Sequence, residues 1–193
     1  MRGRPEYVRN REMNMQNTFL LPLNDLPPEG RNIVVDDARL WAANLWEFQM
    51  DCRVTAPLRA ELRILPLEDG WLVRGELRGE VVGPCNRCAE EVAVTIDSRF
   101  EEFEDVPEAT TGDDGGQPGD SHIVLDKGVP LLDTAALCWE EFVLALPMNP
   151  LCAEDCKGLC PQCGANLNEG GCACARDEGD PRLAVLRGLT LKK

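Results

Sequence analysis

Eight of the ten cysteines fall into four close pairs: Cys85 and Cys88, Cys152 and Cys156, Cys160 and Cys163, Cys172 and Cys174. Cys52 and Cys138 stand alone. Close pairs are the spacing that metal sites use, because one tight turn then delivers two sulfurs to one ion. The strongest signal is Cys160-Pro-Gln-Cys163-Gly. Pro161 stiffens that turn, and Gly164 lets the chain reverse with its N–H groups toward sulfur. Zinc takes four thiolates in a tetrahedron at about 2.3 Å. With four thiolate ligands it has no open position, so the metal predicted here is structural.

Between Cys152 and Cys174 there are six candidate ligands: Cys152, Cys156, Cys160, Cys163, Cys172 and Cys174. Six exceed the four that one zinc needs. Cys152 with Cys156, or Cys172 with Cys174, would each complete a site with Cys160 and Cys163. Cys85 and Cys88 supply a further knuckle at the end of an expected strand. Two sites of four thiolates would use all eight and fasten the tail to the sheet. A redox role for Cys85-Asn-Arg-Cys88 is a rival reading. Thiol oxidoreductases set such a pair at a helix N-terminus, which lowers the thiol pKa. Here a strand is expected on both sides.

Signals of catalysis are thin. The one histidine, His122, borders an acidic loop and reads as a surface residue. No Gly-x-x-x-x-Gly-Lys-[Ser/Thr], His-Glu-x-x-His or Gly-x-Ser-x-Gly motif occurs, so no phosphate loop, zinc-protease helix or hydrolase elbow is expected. The carboxylates are too scattered to nominate a nuclease site. The expectation is a protein that is not an enzyme.

Composition narrows the partner. The net charge of the 193-residue chain is −14, and aromatics are 5%. Phosphate neutralisation supplies much of the affinity of a nucleic-acid binder, so this average field opposes RNA and favours a basic protein. The rival is an RNA-binding zinc module, with Arg87, Lys157, Arg176, Arg182 and the terminal lysines forming one local basic patch. Steep salt dependence would mark it. No stretch approaches the roughly 20 apolar residues of a membrane span, and Met1 to Gln16 lacks the apolar segment of a signal peptide. A cytoplasmic protein is expected, with its thiols reduced. Met13 and Met15 are alternative starts that would remove Arg2 to Arg11, so no weight rests on those arginines.

The elements that must carry these cysteines follow from pattern. Residues 1–30 read as an extended, proline-punctuated lead-in. Residues 31–104 read as an antiparallel sheet domain. Within it Arg31 to Val35 is a strand, Asp36 and Asp37 cap a short helix to about Leu45, and Trp46 to Val54 is a loose strand. Leu58 to Leu67 and Trp71 to Val82 form a hairpin about Asp69-Gly70. Val92, Val94 and Ile96 alternate with polar residues in a half-buried strand. Residues 105–121 are acidic, almost without apolar side chains, and read as a flexible loop. Residues 122–150 give a strand and an amphipathic helix over Leu131 to Leu146. Its cap is Asp133, and its apolar face is Leu132, Ala136, Trp139, Val143 and Leu146. Residues 151–193 form the cysteine-rich module and a last helix begun by Asp180-Pro181.

In this order the features resemble the bacterial and plastid family of large ribosomal RNA subunit accumulation proteins. Four stretches carry the likeness: the Cys-x-Arg-Cys step of Pro84 to Cys88, Phe142-Val-Leu-Ala-Leu-Pro147, Cys156-Lys-Gly-Leu-Cys-Pro-Gln-Cys-Gly-Ala-Asn-Leu-Asn168, and Asp180-Pro-Arg-Leu183. The likeness runs from about Leu58 onward, and the third stretch is the most specific. It implies a role in normal levels of large-subunit (23S) rRNA and no known reaction, and the acidic balance adds the expectation of a ribosomal protein or a precursor large subunit as partner. Members keep different numbers of these cysteines, which implies a stabilising metal, and the cysteines of this chain provide for one or two structural zinc ions. The fold class expected is α+β: an antiparallel β-sheet domain, an amphipathic helix and a small C-terminal zinc-binding module.

Overall fold

The structure is a computed structural model and describes residues 19–106 and 121–174. The acidic loop, the expected last helix, Arg176 and Arg182 lie outside the described residues.

Strand β2 (Arg31–Val35) leads into helix α1 (Ala38–Glu47). Asp37 caps the helix, its carboxylate accepting from the Arg39 N–H. Asp36 instead pairs with Arg59. The strand expected over Trp46 to Val54 does not form as such. The helix runs on to Glu47, Met50 N–H closes back on Leu45 O at 2.9 Å, and the next strand starts only at Arg53. Loose alternation there was the wrong period. Leu40, Trp41 and Leu45 are the residues that this helix buries, with Trp41 and Leu45 four apart on one face as helical spacing requires.

Strands β3 (Arg53–Pro66), β4 (Gly70–Pro84) and β5 (Glu91–Asp105) follow in a meander. With β2 they form an antiparallel sheet of order β2-β3-β4-β5. Alternation sets its faces. Leu58, Ala60, Leu62 and Ile64 of β3 are buried, and Arg59, Glu61 and Arg63 between them are exposed. The turn at Asp69-Gly70 is where the sequence places it, with Leu67 N–H donating to Gly70 O at 2.9 Å. The Phe100 ring lies over Gly75, where a Cβ would come within 2.1 Å of it. The glycine thus makes room for an aromatic on the neighbouring strand.

A second sheet was not legible as one. Strand β1 (Leu20–Pro22) pairs with β7 (Val129–Asp133), and β7 turns through Lys127 and Gly128 onto β6 (Ile123–Asp126), giving the order β1-β7-β6. Helix α2 (Thr134–Ala145) therefore begins three residues later than expected, because Leu131 to Asp133 belong to β7. Asp133 caps it, accepting from Ala135 and Ala136 N–H. The buried face is also rotated from the expected one. Thr134, Leu137, Cys138, Glu141 and Phe142 point inward, while Ala136 and Val143 are exposed. Cys138 and Glu141 supply two turns of that face, and polar type hid them. The core unites both sheets and both helices around Trp41, Leu62, Val73, Leu132 and Phe142. The Trp41 and Phe142 rings lie 5.7 Å apart, and Trp139 stacks on Phe48 at 5.2 Å.

Candidate metal centres

The β4–β5 hairpin ends in the segment Cys85 to Glu90. Ala89 takes a positive φ of 62°, its N–H donates to Cys85 O at 2.9 Å, and Cys85 N–H donates to Glu90 O at 2.8 Å. This closes a knuckle with both thiols inward. The chain after α2 then docks on it. Asn86 N–H donates to Pro150 O at 2.9 Å, and its amide reaches Met148 O and Asn149 Oδ1. Cys152 and Cys156 arrive against Cys85 and Cys88.

Sulfur distances test the fit. Cys85 Sγ and Cys156 Sγ are 3.8 Å apart, and Cys88 Sγ and Cys152 Sγ are 3.5 Å apart. A thiolate tetrahedron around zinc has edges of about 3.8 Å, whereas a disulfide brings sulfurs to about 2.05 Å. Four sulfurs at these separations surround a space for one ion. Their outer partners are N–H groups: Cys85 accepts from Arg87 and Cys152 backbone N–H, and Cys156 accepts from the Asn168 amide at 3.3 Å. Such donors stabilise metal-bound thiolate.

Cys160, Cys163, Cys172 and Cys174 form a second group, with all four Sγ within 4.8 Å of one another. Gly164 N–H donates to Cys160 O at 2.8 Å, and Cys160 N–H donates to Ala165 O at 2.8 Å. Leu159 and Asn166 bridge across this knuckle. The sequence left the partners of Cys160 and Cys163 open between two pairs. The structure places Cys172 and Cys174 beside them, and Cys152 and Cys156 beside the hairpin knuckle instead.

Charge explains why an ion suits each group. Burial raises the Cys85 pKa, but the N–H groups of Arg87, Cys88 and Cys152 outweigh it and bring the thiol to about 6. The Asn168 amide lowers Cys156. Facing them, Cys152 is pushed up to about 12 by Cys88 and Cys156 and then by burial. The second group repeats the pattern. Cys163 and Gln162 N–H groups bring Cys160 to about 6, and Cys163 pushes Cys174 up to about 12. Four sulfurs in contact cannot all ionise alone, and a divalent cation removes that conflict.

Asn168 is the residue that sequence reasoning missed. It accepts from Lys157 N–H at 2.8 Å and donates to Cys156 Sγ, while Asn166 donates to Glu90 Oε1 at 3.3 Å. The knuckle of the second group thereby supports a ligand of the first. Only its place in Asn166-Leu-Asn168 hinted at a turn. Gly158 lets the two come together. Its φ is +75°, and a Cβ there would stand 2.9 Å from Arg87 O.

Arg87 and Lys157 were nominated for partner or RNA contact. Arg87 is exposed, and its guanidinium lies along the docked tail, donating to Glu154 O at 3.2 Å and Cys156 O at 2.9 Å. Lys157 is exposed. His122 is not the surface residue that the sequence suggested. Its side chain is 15% exposed, with Nδ1 2.7 Å from Glu104 and Nε2 3.1 Å from Glu140. Glu104 and Glu141 are buried beside it. Glu104 faces inward from β5 and Glu140 projects from α2, a juxtaposition that spacing alone does not show.

Antiparallel sheets, capped helices and paired four-cysteine knuckles define an α+β protein whose cysteine groups could hold metal ions. The family model described as large ribosomal RNA subunit accumulation protein YceD matches residues 73–190, and the chain belongs to that family. An uncharacterized protein of Mycobacterium tuberculosis is 34% identical over 137 residues, covering 68% of this chain and 61% of that protein. A chloroplastic large ribosomal RNA subunit accumulation protein YCED homolog of Arabidopsis thaliana is 26% identical over 155 residues, covering 69% of this chain and 48% of its own length. The chain thus spans about half to three-fifths of these relatives. No solved structure matches it. Among the described residues no helix is long and apolar enough to cross a membrane.

Proposed function

We propose that this protein supports the accumulation or maturation of large-subunit (23S) rRNA, acting in the cytoplasm through a basic ribosomal protein or a precursor large subunit and not as an enzyme. Family membership carries this reading. A net charge of −14 favours a basic protein over bare RNA as the first contact. Arg87 is engaged by two tail carbonyls while remaining exposed, so it gives the rival RNA-binding zinc module at most one partly occupied cation. Both cysteine groups take zinc, and both ions are structural. Thiolate sets of this size leave no position for a reacting water.

Depletion followed by measurement of large- against small-subunit rRNA tests the function. A fall in the large-subunit share is expected, and an unchanged ratio would overturn it. Elemental analysis tests the metal, with two zinc ions per chain expected.

A further inference from the structure

We propose that the cleft between α1 and the open edge of β3 receives an extended, basic protein segment as an added strand, with an apolar side chain seated beside Trp41. The partner class rests on the reading that the protein acts through a basic ribosomal protein.

Sheet topology opens the cleft. β2 pairs with β3 only from Ala60 to Ile64, whereas β3 begins at Arg53. The Arg53 end of β3 has β4 on one side and, among the described residues, no strand on the other. An unpaired edge offers outward N–H and C=O groups at alternate residues, the template that strand addition uses. Pro57 and the register shifts around Ala56 blunt one end of this edge. They confine pairing to the short stretch Arg53 to Ala56 and guard against indiscriminate association.

Helix α1 forms the other wall. Trp41, Ala42, Leu45 and Trp46 face Val54 and Ala56 around a space of about 670 Å³. That volume is in the range of clefts that seat ligand groups. Trp46 is 75% exposed and Val54 38% exposed, so the cleft has apolar rims without a cover among the described residues. Trp41 is 1% exposed, and its Nε1–H is the one buried side-chain donor among the described residues that has no acceptor. Buried donors are nearly always paired.

Charge selects the occupant. Arg53 is held by Glu91, and Arg59 by both Asp36 and Glu61. Asp51, between the lining residues Met50 and Cys52, then leaves this rim negative. A basic polypeptide fits such a rim, and a phosphate backbone does not.

The test uses the full chain and overlapping 15-residue synthetic peptides covering the ribosomal proteins of the large subunit. Ala42→Lys places bulk and positive charge at an exposed helix position, and Trp41→Phe trims the indole that lines the cleft to a smaller aromatic ring. Circular dichroism and metal content check the fold, and Trp46→Ser replaces Ala42→Lys if that variant misfolds. At least one basic peptide should bind, and Ala42→Lys should weaken it about tenfold or more. Trp41→Phe should weaken it less, and amides within Arg53 to Ala56 should gain hydrogen-exchange protection. Absence of peptide binding, equal binding by the blocked variant, no protection at Arg53 to Ala56, or displacement by an RNA oligonucleotide would each overturn the proposal. Normal rRNA in cells that carry only Ala42→Lys would defeat the cleft and spare the function. Unchanged rRNA on depletion would defeat the function itself.

Discussion

The two cysteine groups share one chemistry and differ in what they close. Cys85, Cys88 and Cys156 of the first are buried, and the sulfur contact between Cys88 and Cys152 spans 64 residues. In the second, Cys163 is exposed, Cys172 and Cys174 are half-buried, and all ligands come from one short stretch. Closing the longer loop costs the unfolded chain about 2 kcal/mol more entropy. A bond that holds it closed therefore constrains more of the molecule. The first group fastens the tail to the β4–β5 hairpin. The second shapes the tail, and through Asn168 it braces Cys156. The same ligand set is thus a fastener in one place and a local mould in the other.

Metal removal should divide the two most sharply. A graded chelator series, followed by elemental analysis and thermal melting, should release one zinc from the exposed group first with little change in Tm. Release of the second ion should then cost several kcal/mol, because structural zinc binding is folding energy. Release of both ions in one step would dissolve the comparison. Single substitutions sharpen the same contrast. Cys88→Ser should lower stability by about 3 kcal/mol and Cys172→Ser by about 1 kcal/mol, read from urea unfolding.

The junction between the groups gives smaller effects. Gly158→Ala meets both a positive φ and the Arg87 carbonyl, so a loss of about 2 kcal/mol is expected. Asn168→Ala removes one hydrogen bond to sulfur and one to Lys157 N–H, worth about 1 kcal/mol. It should also make the zinc of the first group easier to extract, although Asn168 lies beyond the second knuckle in sequence. Unaltered extraction would mean that the groups act independently.

Much of this was legible in the sequence for identifiable reasons. The long β-meander announced itself through period-two alternation and Asp69-Gly70, since those signals are local. Asp37 and Asp133 were readable as caps for the same reason. The eight cysteines of the two groups that could hold metal stand out by their spacing. Their division into fours was left open, because it depends on where the hairpin tip meets the tail. The second sheet escaped because β1 pairs with β7 more than a hundred residues later, and neither strand is long enough to show a period. The buried face of α2 was misplaced because Cys138 and Glu141 sit on it, and burial of a carboxylate is invisible to a hydrophobic pattern. The Glu104–His122 pair was missed because its members come from β5 and from the segment before β6.

That pair offers the smallest and most discriminating test, since it joins elements by charge without metal. Hydrogen bonding to Glu104 raises the His122 pKa above its ordinary 6.5 despite burial. Burial works against Glu104 ionisation, but bonds from His122 and Ser121 hold its pKa below 4.5. The carboxylate contribution is present above pH 4.5 and lost as pH falls through the lowered value. The histidine contribution is complete below pH 6.5 and lost as pH rises through the raised value. Both act fully only between those limits. His122→Gln should therefore cost about 1 kcal/mol near pH 5.5, after allowance for solvent screening, and less at pH 9. If the cysteine groups hold zinc as proposed, acid acts on them in the opposite sense, because protons displace the ion from thiolates. Unfolding of wild type and variant across this range separates the two kinds of fastening. A cost for His122→Gln that does not change between pH 5.5 and pH 9 would show that the histidine contributes packing and not charge.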